Sequence, residues 1–271
     1  MSIMNVYGIF LITCISIGAC KSSHIIEQND REFADLDIVV NVAQLEIDNL
    51  ENIYILTPQS TILQYQDNLT LKYEYNNSIV GNINSIDVSN PQKILCFVKD
   101  FNQIIVLDNT LSEISKINLS LNNTYFEISA IARSNDNLIW IFDAFNQQLI
   151  KIDEMGNSLY KSNRLSDYNL SEISPQSIIE RENTVVLYDS TIGFLIFDNF
   201  GNYKNSIPEK NISNFQFSGE FLLFVQESVL YKYHIKRFEK EQISKLPQLF
   251  KSLKKSKHKT YFINSNGIKI E

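Results

Sequence analysis

Acidic side chains recur at regular positions along the chain, and carboxylates are groups that can bind a cation or move a proton. Six aspartates end apolar runs in three successive segments: Asp100, Asp108, Asp143, Asp153, Asp189 and Asp198. Oxygen ligands in series suit Ca²⁺, but a Ca²⁺ site needs them to converge on one point. Aspartate at the end of an extended run also forms turns, because its side chain bonds to the backbone two residues on. We therefore predict that these aspartates form turns and bind no metal.

Histidine and cysteine, the other residues with useful chemistry, are few and scattered. None of His24, His234 and His258 has a Cys, Asp or second His at the spacing of a metal site. The body of the chain has one thiol, Cys96, which lies in the apolar run "ILCFV" and is predicted to be a buried core residue. No G-x-S-x-G, P-loop, Rossmann glycine pattern or H-E-x-x-H motif is present. The sequence therefore predicts no catalytic residue, no metal and no cofactor.

One cysteine near the N-terminus has a distinctive context. The apolar stretch at residues 6–19, "VYGIFLITCISIGA", has the length of a signal-peptide core and is too short to span a bilayer. It ends in Ile17, Gly18 and Ala19, and Cys20 follows. This pattern resembles the lipobox of bacterial lipoproteins, which implies cleavage before the cysteine and acylation of its thiol and new amino group. A plain secretory signal with an incidental cysteine is the alternative.

The resemblance to lipoproteins also implies a domain organisation and a location. Residues 1–19 are assigned to the signal peptide, residues 20–33 to a polar tether and residues 34–271 to the folded domain. Acyl chains contribute about 0.8 kcal/mol per buried CH₂, so a multiply acylated cysteine anchors a protein stably. Lys21 stands where lipoproteins of the inner membrane carry Asp, and the acidic cluster typical of surface-displayed lipoproteins is absent. We expect an outer-membrane anchor and a domain that faces the periplasm.

The elements that would position these residues are repeated extended segments. Three well-matched units are "ILCFVKDFNQIIVLDNTLSEISKI", "LIWIFDAFNQQLIKIDEMGNSLYKS" and "VVLYDSTIGFLIFDNFGNYKNSI", and weaker copies flank them. Equivalent positions, separated by 41, 45, 47, 37 and 37 residues, are Leu45, Ile86, Ile131, Ile178, Phe215 and Ser252. About 40 to 50 residues and four strands per unit are typical of a β-propeller, in which each sheet buries its faces against its neighbours. The sequence predicts an all-β, six-bladed β-propeller of four-stranded blades.

Two of the repeated turns have a shared pattern. In "IDEMG" and "FDNFG", Asp153 and Asp198 are predicted to cap the turn, and Gly156 and Gly201 to take the positive φ that the hairpin requires. This Asp-x-x-Gly punctuation resembles that of NHL-type and TolB-type propellers. The resemblance implies a fold and no particular activity.

The two ends of the repeat region and its longest connection suggest further details. The last copy stops at Glu271 after two or three strands, and the orphan extended stretch Ala34–Val40 precedes the first copy. We expect that stretch to supply the outer strand of the final blade, because pairing it there closes the ring and removes an exposed sheet edge. The insertion Asn163–Gln176, between blades three and four, is predicted to form a helical turn.

Charge limits the partners. A formal net charge of −7 and a pI near 5.1 argue against nucleic-acid binding, which needs a concentrated positive surface. The one concentrated positive run, Lys251–Lys259, is either a solvated loop or a contact for anionic headgroups or an acidic partner. Several tyrosines suit a protein interface but equally suit the gaps between blades. They are Tyr65, Tyr73, Tyr75, Tyr125, Tyr168 and Tyr203.

These features together predict a non-enzymatic, outer-membrane-anchored periplasmic lipoprotein whose propeller is a protein-protein interaction scaffold. An accessory role in an outer-membrane assembly or secretion complex, such as the type 9 translocon, fits that location. The first alternative is a metal-dependent propeller enzyme of the lactonase or lyase type. Its candidate ligands on the inner strands would be Glu46, Asp48, Asp87, Glu180 and Glu182. The second alternative is a solute-binding accessory of nutrient uptake, with a ligand in the central channel.

Overall fold

The computed structural model describes residues 36–76, 81–120, 127–170 and 172–271. The predicted signal peptide, the lipobox with Cys20 and the tether lie outside the described residues. Within the described ranges, none of the helices has the length and apolar character that a membrane crossing requires.

The described strands form six antiparallel four-stranded sheets, which we number blades 1 to 6. Blade 1 contains β2 (Gln44–Ile47), β3 (Ile53–Leu56), β4 (Thr61–Tyr65) and β5 (Leu71–Asn76). Blade 2 contains β6 (Ser85–Asp87), β7 (Ile94–Val98), β8 (Gln103–Leu107) and β9 (Glu113–Asn118). Blade 3 contains β10 (Ile128–Arg133), β11 (Ile139–Asp143), β12 (Gln148–Ile152) and β13 (Ser158–Lys161).

The second half of the ring repeats the arrangement. Blade 4 contains β14 (Ser177–Arg181), β15 (Thr184–Asp189), β16 (Gly193–Asp198) and β17 (Tyr203–Ile207). Blade 5 contains β18 (Ile212–Ser218), β19 (Phe221–Gln226), β20 (Val229–His234) and β21 (Glu239–Lys245). Blade 6 contains β22 (Ser252–Lys255), β23 (Thr260–Asn264), β24 (Gly267–Ile270) and β1 (Ile38–Val39). The predicted all-β, six-bladed propeller is confirmed.

The core lies between the blades. Each of six apolar clusters joins two neighbouring blades, so that every seam of the ring has its own cluster. The second strands are accordingly buried on both faces: all five residues of β7 and of β11 are buried. The outer strands face solvent, and β21 is exposed along its whole length. This gradient follows from the fold, because a single blade cannot cover either of its apolar faces alone.

The N-terminal strand closes the ring, as predicted. In β1, Ile38 pairs with Ile268 and Val39 with Gly267 of β24. The approach is close, since a Cβ at Gly267 would lie 2.1 Å from the carbonyl oxygen of Ile38. Glycine at this position therefore lets the closing strand pair with blade 6.

The connection between blades 3 and 4 contains a 3-10 turn at Leu165–Tyr168, which confirms the predicted helical turn. Leu165 and Ile173 are fully buried. The Gln147 side chain donates from Nε2 to the carbonyl of Ile173 at 2.8 Å and accepts from its N–H at 2.9 Å. The insertion is therefore packed onto the propeller rather than extended into solvent.

A second 3-10 turn, Lys99–Phe101, follows β7.

Because consecutive strands are antiparallel, the loops alternate between the two faces of the ring. We call face A the side that carries the turns between first and second strands and between third and fourth strands. Face B carries the turns between second and third strands and the connections from one blade to the next.

Candidate functional site

The aspartates of the outer hairpins are turn residues. Asp153 Oδ1 accepts the N–H groups of Met155 at 2.9 Å and Asn157 at 2.8 Å, and Gly156 has φ +85°. The side-chain hydrogen bond from Asn157 is the main cause that lowers the pKa of Asp153. A carboxylate that is held in this way by backbone donors stabilises the turn.

Asp198 has the same geometry in blade 4. Its Oδ1 accepts the N–H groups of Phe200 at 3.0 Å and Asn202 at 2.9 Å, and Gly201 has φ +80°. Burial alone would raise the pKa of Asp198, but hydrogen bonds from Lys204 and Asn202 outweigh it and lower the pKa to about 2.

The same turn forms where the sequence lacks glycine. Asp108 accepts from the N–H groups of Thr110 and Ser112, and Leu111 takes the left-handed position with φ +59°. Leu69 takes the equivalent left-handed position in blade 1, with φ +64°. The only feature of the sequence that indicates the left-handed conformation of these two leucines is their distance from the start of the turn.

The aspartates after the second strands also bond locally. Asp143 is fully buried and accepts from the N–H and the Nδ2 of Asn146. Asp189 accepts from Thr191 and, at 2.8 Å, from the N–H of Ser174 in the insertion. Asp100 is an exposed residue of the 3-10 turn after β7. These acids stand in separate blades and do not share a point.

The inner-strand acids join blades to one another. Asp87 Oδ2 in blade 2 accepts the N–H of Arg133 in blade 3 at 2.7 Å. Glu180 Oε2 in blade 4 accepts the indole N–H of Trp140 in blade 3 at 2.7 Å. Glu46 in blade 1 forms an ion pair with Lys254 in blade 6.

Asp48 and Glu182 complete this set of acids. Asp48 is buried and accepts from Leu50, Asn52 and Tyr54 within its own hairpin. The carbonyl of Glu182 accepts from the side chain of Asn135 at 3.0 Å. Among the described residues, no three or more His, Cys, Asp or Glu side chains are grouped closely enough to hold a metal ion.

Two glutamines form seam contacts that sequence reasoning missed. The side-chain amide of Gln44 both accepts from the N–H of Ile86 and donates to its carbonyl, each at 2.9 Å. Gln216 makes the same pair of bonds with Lys255, each at 2.8 Å. In both cases the amide bonds to the inner strand of the next blade as a backbone neighbour would. Only the polar character of residues in otherwise apolar strands could have signalled this.

The histidines and the thiol are placed as strand and turn residues. Cys96 is fully buried, and burial raises the pKa of its thiol. His234 is buried in β20 with its ring centroid 5.0 Å from that of Phe221, and its Nε2 lies 3.7 Å from Glu220. His258 is exposed in the turn after β22.

The predicted tyrosines mostly fill space within the fold. Tyr75 is buried and donates to Glu113 at 2.6 Å, Tyr65 and Tyr73 are half-buried, and Tyr168 packs on Tyr203 with ring centroids 4.9 Å apart. Tyr125 lies outside the described residues.

The exposed aromatic side chains are different ones. Tyr160 of β13 is 48% exposed and Phe200 of the blade 4 outer turn is 60% exposed, and their rings contact edge to face at 6.4 Å. Met155, 86% exposed, stands in the turn that leads into β13. We call Met155, Tyr160 and Phe200 the apolar edge. On face B, Phe101 and Phe145 are exposed in equivalent turns of blades 2 and 3.

The fold and these surfaces define a six-bladed β-propeller with structural polar seams. A streptogramin B lyase is similar to it, with a TM-score of 0.60 and 13% sequence identity over 87% of this chain and 84% of that one. The Pan2 WD40 domain of Neurospora crassa has a TM-score of 0.60 and 9% identity, over 83% of this chain and 72% of that one. A Bacteroides caccae protein of unknown function has a TM-score of 0.56 and 11% identity, over 83% and 81%.

These similarities establish the fold alone, because propellers with such low identity have unrelated activities. No protein-family model matches the sequence, and no curated protein matches it either.

Proposed function

We propose that this protein is a non-enzymatic scaffold that binds another protein through the apolar edge of blades 3 and 4. The observation that carries the proposal is the pair of exposed rings of Tyr160 and Phe200, which contact each other. The exposed Met155 stands in the turn that leads into the strand of Tyr160. Exposed apolar patches on a rigid framework are typical of protein-binding surfaces, and aromatic and Met side chains are enriched there.

The use of the inner-strand polar groups supports binding rather than catalysis. Asp87 and Glu180 accept hydrogen bonds from neighbouring blades, and Glu46 forms an ion pair with Lys254. A catalytic or metal-binding acid acts together with further reactive groups at one site, whereas these three stand in different seams of the ring. These carboxylates contribute to ring assembly.

The proposal includes a cellular location. Acylation of Cys20 would hold the propeller on the periplasmic side of an outer membrane, where its partner would belong to an assembly or secretion complex, such as the type 9 translocon. The lipobox pattern of Ile17, Gly18 and Ala19 supports this part of the proposal. Mass spectrometry of the mature protein tests it, because a diacylglyceryl thioether on Cys20 is the expected product.

A pull-down from detergent-solubilised membranes tests the scaffold. The tagged protein should recover a membrane complex of defined stoichiometry, and the double variant Tyr160→Ser/Phe200→Ser should lose it. Leu50→Ser is the matched control, because Leu50 is a 66% exposed apolar residue in blade 1. Recovery of the same complex by the double variant, or of monomer by the unmodified protein, would contradict the proposal.

Elemental analysis separates the scaffold from a metal-dependent propeller enzyme. A stoichiometric divalent metal in the purified protein, lost in Asp87→Asn or Glu180→Gln, would favour the enzyme. A small molecule that copurifies with the protein would favour solute binding. We expect neither.

A further inference from the structure

The charge of the chain is divided unequally between the two parts of the ring. Residues 212–271, which form blades 5 and 6 apart from β1, contain eleven Lys and Arg and five Asp and Glu, a net charge of +6. Residues 1–211 contain thirteen Lys and Arg and 26 Asp and Glu, a net charge of −13. The total of −7 therefore conceals a propeller with one cationic side.

Part of this positive charge is free to meet an external anion. Lys254 and Lys259 form ion pairs with Glu46 and Asp67 of blade 1. Within the described part of the chain, five exposed cations of blades 5 and 6 have no ion-pair partner. They are Arg237, Lys245, Lys251, Lys255 and Lys257. Arg237, Lys255 and Lys257 stand at the face A ends of blades 5 and 6, and we call these three residues the cationic edge. Lys245 and Lys251 stand at face B.

The first described residues of the chain join the propeller at face A, where the cationic edge also lies. The N–H of Asp37 donates to Ile268 at 2.9 Å, and Asp37 Oδ2 accepts the N–H of Ile270 at 2.7 Å. Ile270 ends β24 on face A, so Leu36, the first described residue, also lies at the face A end of blade 6. Lys255 and Lys257 stand at the neighbouring hairpin end of the same blade.

The distance along the chain to Cys20 is short. Sixteen residue steps separate Cys20 from Leu36, and a chain of that length spans at most about 55 Å. An anchor on Cys20 therefore keeps the point of attachment, at blade 6, within about 55 Å of the membrane.

We propose that the cationic edge lies against the anionic phospholipid headgroups of the membrane in which Cys20 is anchored. This inference rests on the proposed acylation and adds an orientation to it. Lys and Arg near an anionic leaflet attract it within the Debye length of about 8 Å, and an acyl anchor combined with basic residues is a common pair of membrane signals. The exposed Phe238 beside Arg237 adds an apolar side chain to this surface.

The orientation has a consequence for the partner. In a ring of six blades, blade 3 is opposite blade 6. With the ring standing on the rim of blade 6, the apolar edge of blades 3 and 4 would therefore lie on the side away from the lipid, where a partner can approach it. The headgroups and the partner would occupy opposite sides of one rigid ring.

Two fluorescent probes measure this orientation. His258→Cys places a label on blade 6 and Ser158→Cys places one on blade 3, and both positions are exposed. The acylated protein is reconstituted into phosphatidylglycerol vesicles that carry a headgroup quencher. The blade 6 label should be quenched more strongly, and the difference should shrink in phosphatidylcholine vesicles or at high salt. Equal quenching of both labels, or stronger quenching on blade 3, would overturn the proposal.

Charge variants test which cations orient the ring. Arg237→Gln/Lys255→Gln/Lys257→Gln should abolish the difference in quenching, because each cation removed weakens the contact about fivefold. The matched control is Lys99→Gln/Lys161→Gln/Lys210→Gln, which removes three exposed cations outside blades 5 and 6. The control should keep the difference. An equal loss in both triple variants would overturn the proposal, because it would show that net charge alone orients the protein.

The outcomes separate this inference from the proposed anchor. Mass spectrometry of the same samples reports the state of Cys20. An acylated protein without preferred orientation overturns the cationic edge and leaves the anchor. If the thiol is unmodified, the anchor fails, and sedimentation of the protein with phosphatidylglycerol vesicles then decides whether the edge binds lipid by itself. Loss of a copurifying acidic protein in the first triple variant, with unchanged quenching, would assign the edge to a protein and overturn the lipid contact.

Discussion

The seam between blades 3 and 4 and the seam between blades 5 and 6 hold the ring together in different ways. The first contains twelve buried apolar residues, including the fully buried Trp140, and the second contains six. In the second seam, side chains of β18 bond to the backbone of β22 and of Lys251, the residue before it. Ser213 Oγ donates to Lys251 at 2.8 Å, Asn214 Nδ2 donates to Leu253 at 3.2 Å, and Gln216 bonds twice to Lys255.

The difference shows that the same four-stranded repeat can form a seam with its neighbour from apolar side chains or from polar ones. An inner strand that carries Lys254 and Lys255 cannot present a continuous apolar face. Polar side chains on the preceding blade supply directed bonds in place of apolar area, which leaves the lysine side chains free for charge contacts. The apolar seam provides stability, whereas the polar seam allows a charged surface close to the point of ring closure.

The largest effect is expected in the apolar seam. Trp140→Ala removes a fully buried indole that bonds to Glu180 and lies 4.5 Å from the Nζ of Lys151. A substitution of this kind typically costs about 3 to 5 kcal/mol. Urea unfolding should show a loss in that range, and Trp140→Phe, which keeps most of the ring volume, should lose less. A loss below about 1 kcal/mol for Trp140→Ala would mean that this seam does not dominate stability.

Ring closure should be the next most sensitive feature. Gly267→Ala forces a Cβ to within 2.1 Å of the carbonyl of Ile38, so β1 must move away from β24, at an expected cost of about 3 kcal/mol. Gly219→Ala is the control, since its added Cβ meets no atom within 4 Å and only its φ of +59° is unfavourable. The control should lose about 1 kcal/mol. Equal losses in the two variants would contradict a tight closure.

The sequence predicted much of the fold because the repeat is periodic and the physics of strands is local. All six equivalent positions chosen along the chain fall in the first strands of their blades, from Leu45 in β2 to Ser252 in β22. The closing strand was predictable because the incomplete last copy lacks an outer strand, and the orphan first strand lacks a partner to pair with.

The seams were much less predictable. Asp87 and Glu180 are ordinary acids in the sequence, and only the placement of neighbouring blades turns them into acceptors for Arg133 and Trp140. The apolar edge was missed for a similar reason. Whether an aromatic side chain is buried depends on the neighbouring blade, and the exposed rings are mainly Phe residues in turns rather than the predicted tyrosines.

The polar seam should respond more weakly to substitution. Gln216→Ala removes two hydrogen bonds between blades 5 and 6, and each is worth about 0.5 to 1.5 kcal/mol. Because water reaches this seam, we expect a total loss of about 1.5 kcal/mol in urea unfolding. Gln216→Glu keeps the acceptor for the N–H of Lys255 and should lose about half as much. If Gln216→Ala were as harmful as Trp140→Ala, the contrast between the two seams would be wrong.

The smallest effect, dependence on pH, should come from the side of the ring that has the apolar seam. The pKa of Asp198 in blade 4 is lowered to about 2, whereas the equivalent turn of blade 5, at 235–238, contains no acid. A carboxyl whose pKa is lower in the folded state stabilises the protein above its ordinary pKa near 4, and this contribution disappears as the pH falls through 2. Its partner Lys204 is 54% exposed, so solvent screening limits the contribution to about 1 kcal/mol.

Unfolding free energies measured from pH 6 to pH 2 test this expectation. The difference between the unmodified protein and Asp198→Asn should be constant above about pH 5 and should shrink toward pH 2. Asp153→Asn should show a smaller difference, because no lysine pairs with that carboxylate among the described residues. A difference that stays constant down to pH 2 would show that the carboxylate acts only as a hydrogen-bond acceptor, which an asparagine oxygen replaces.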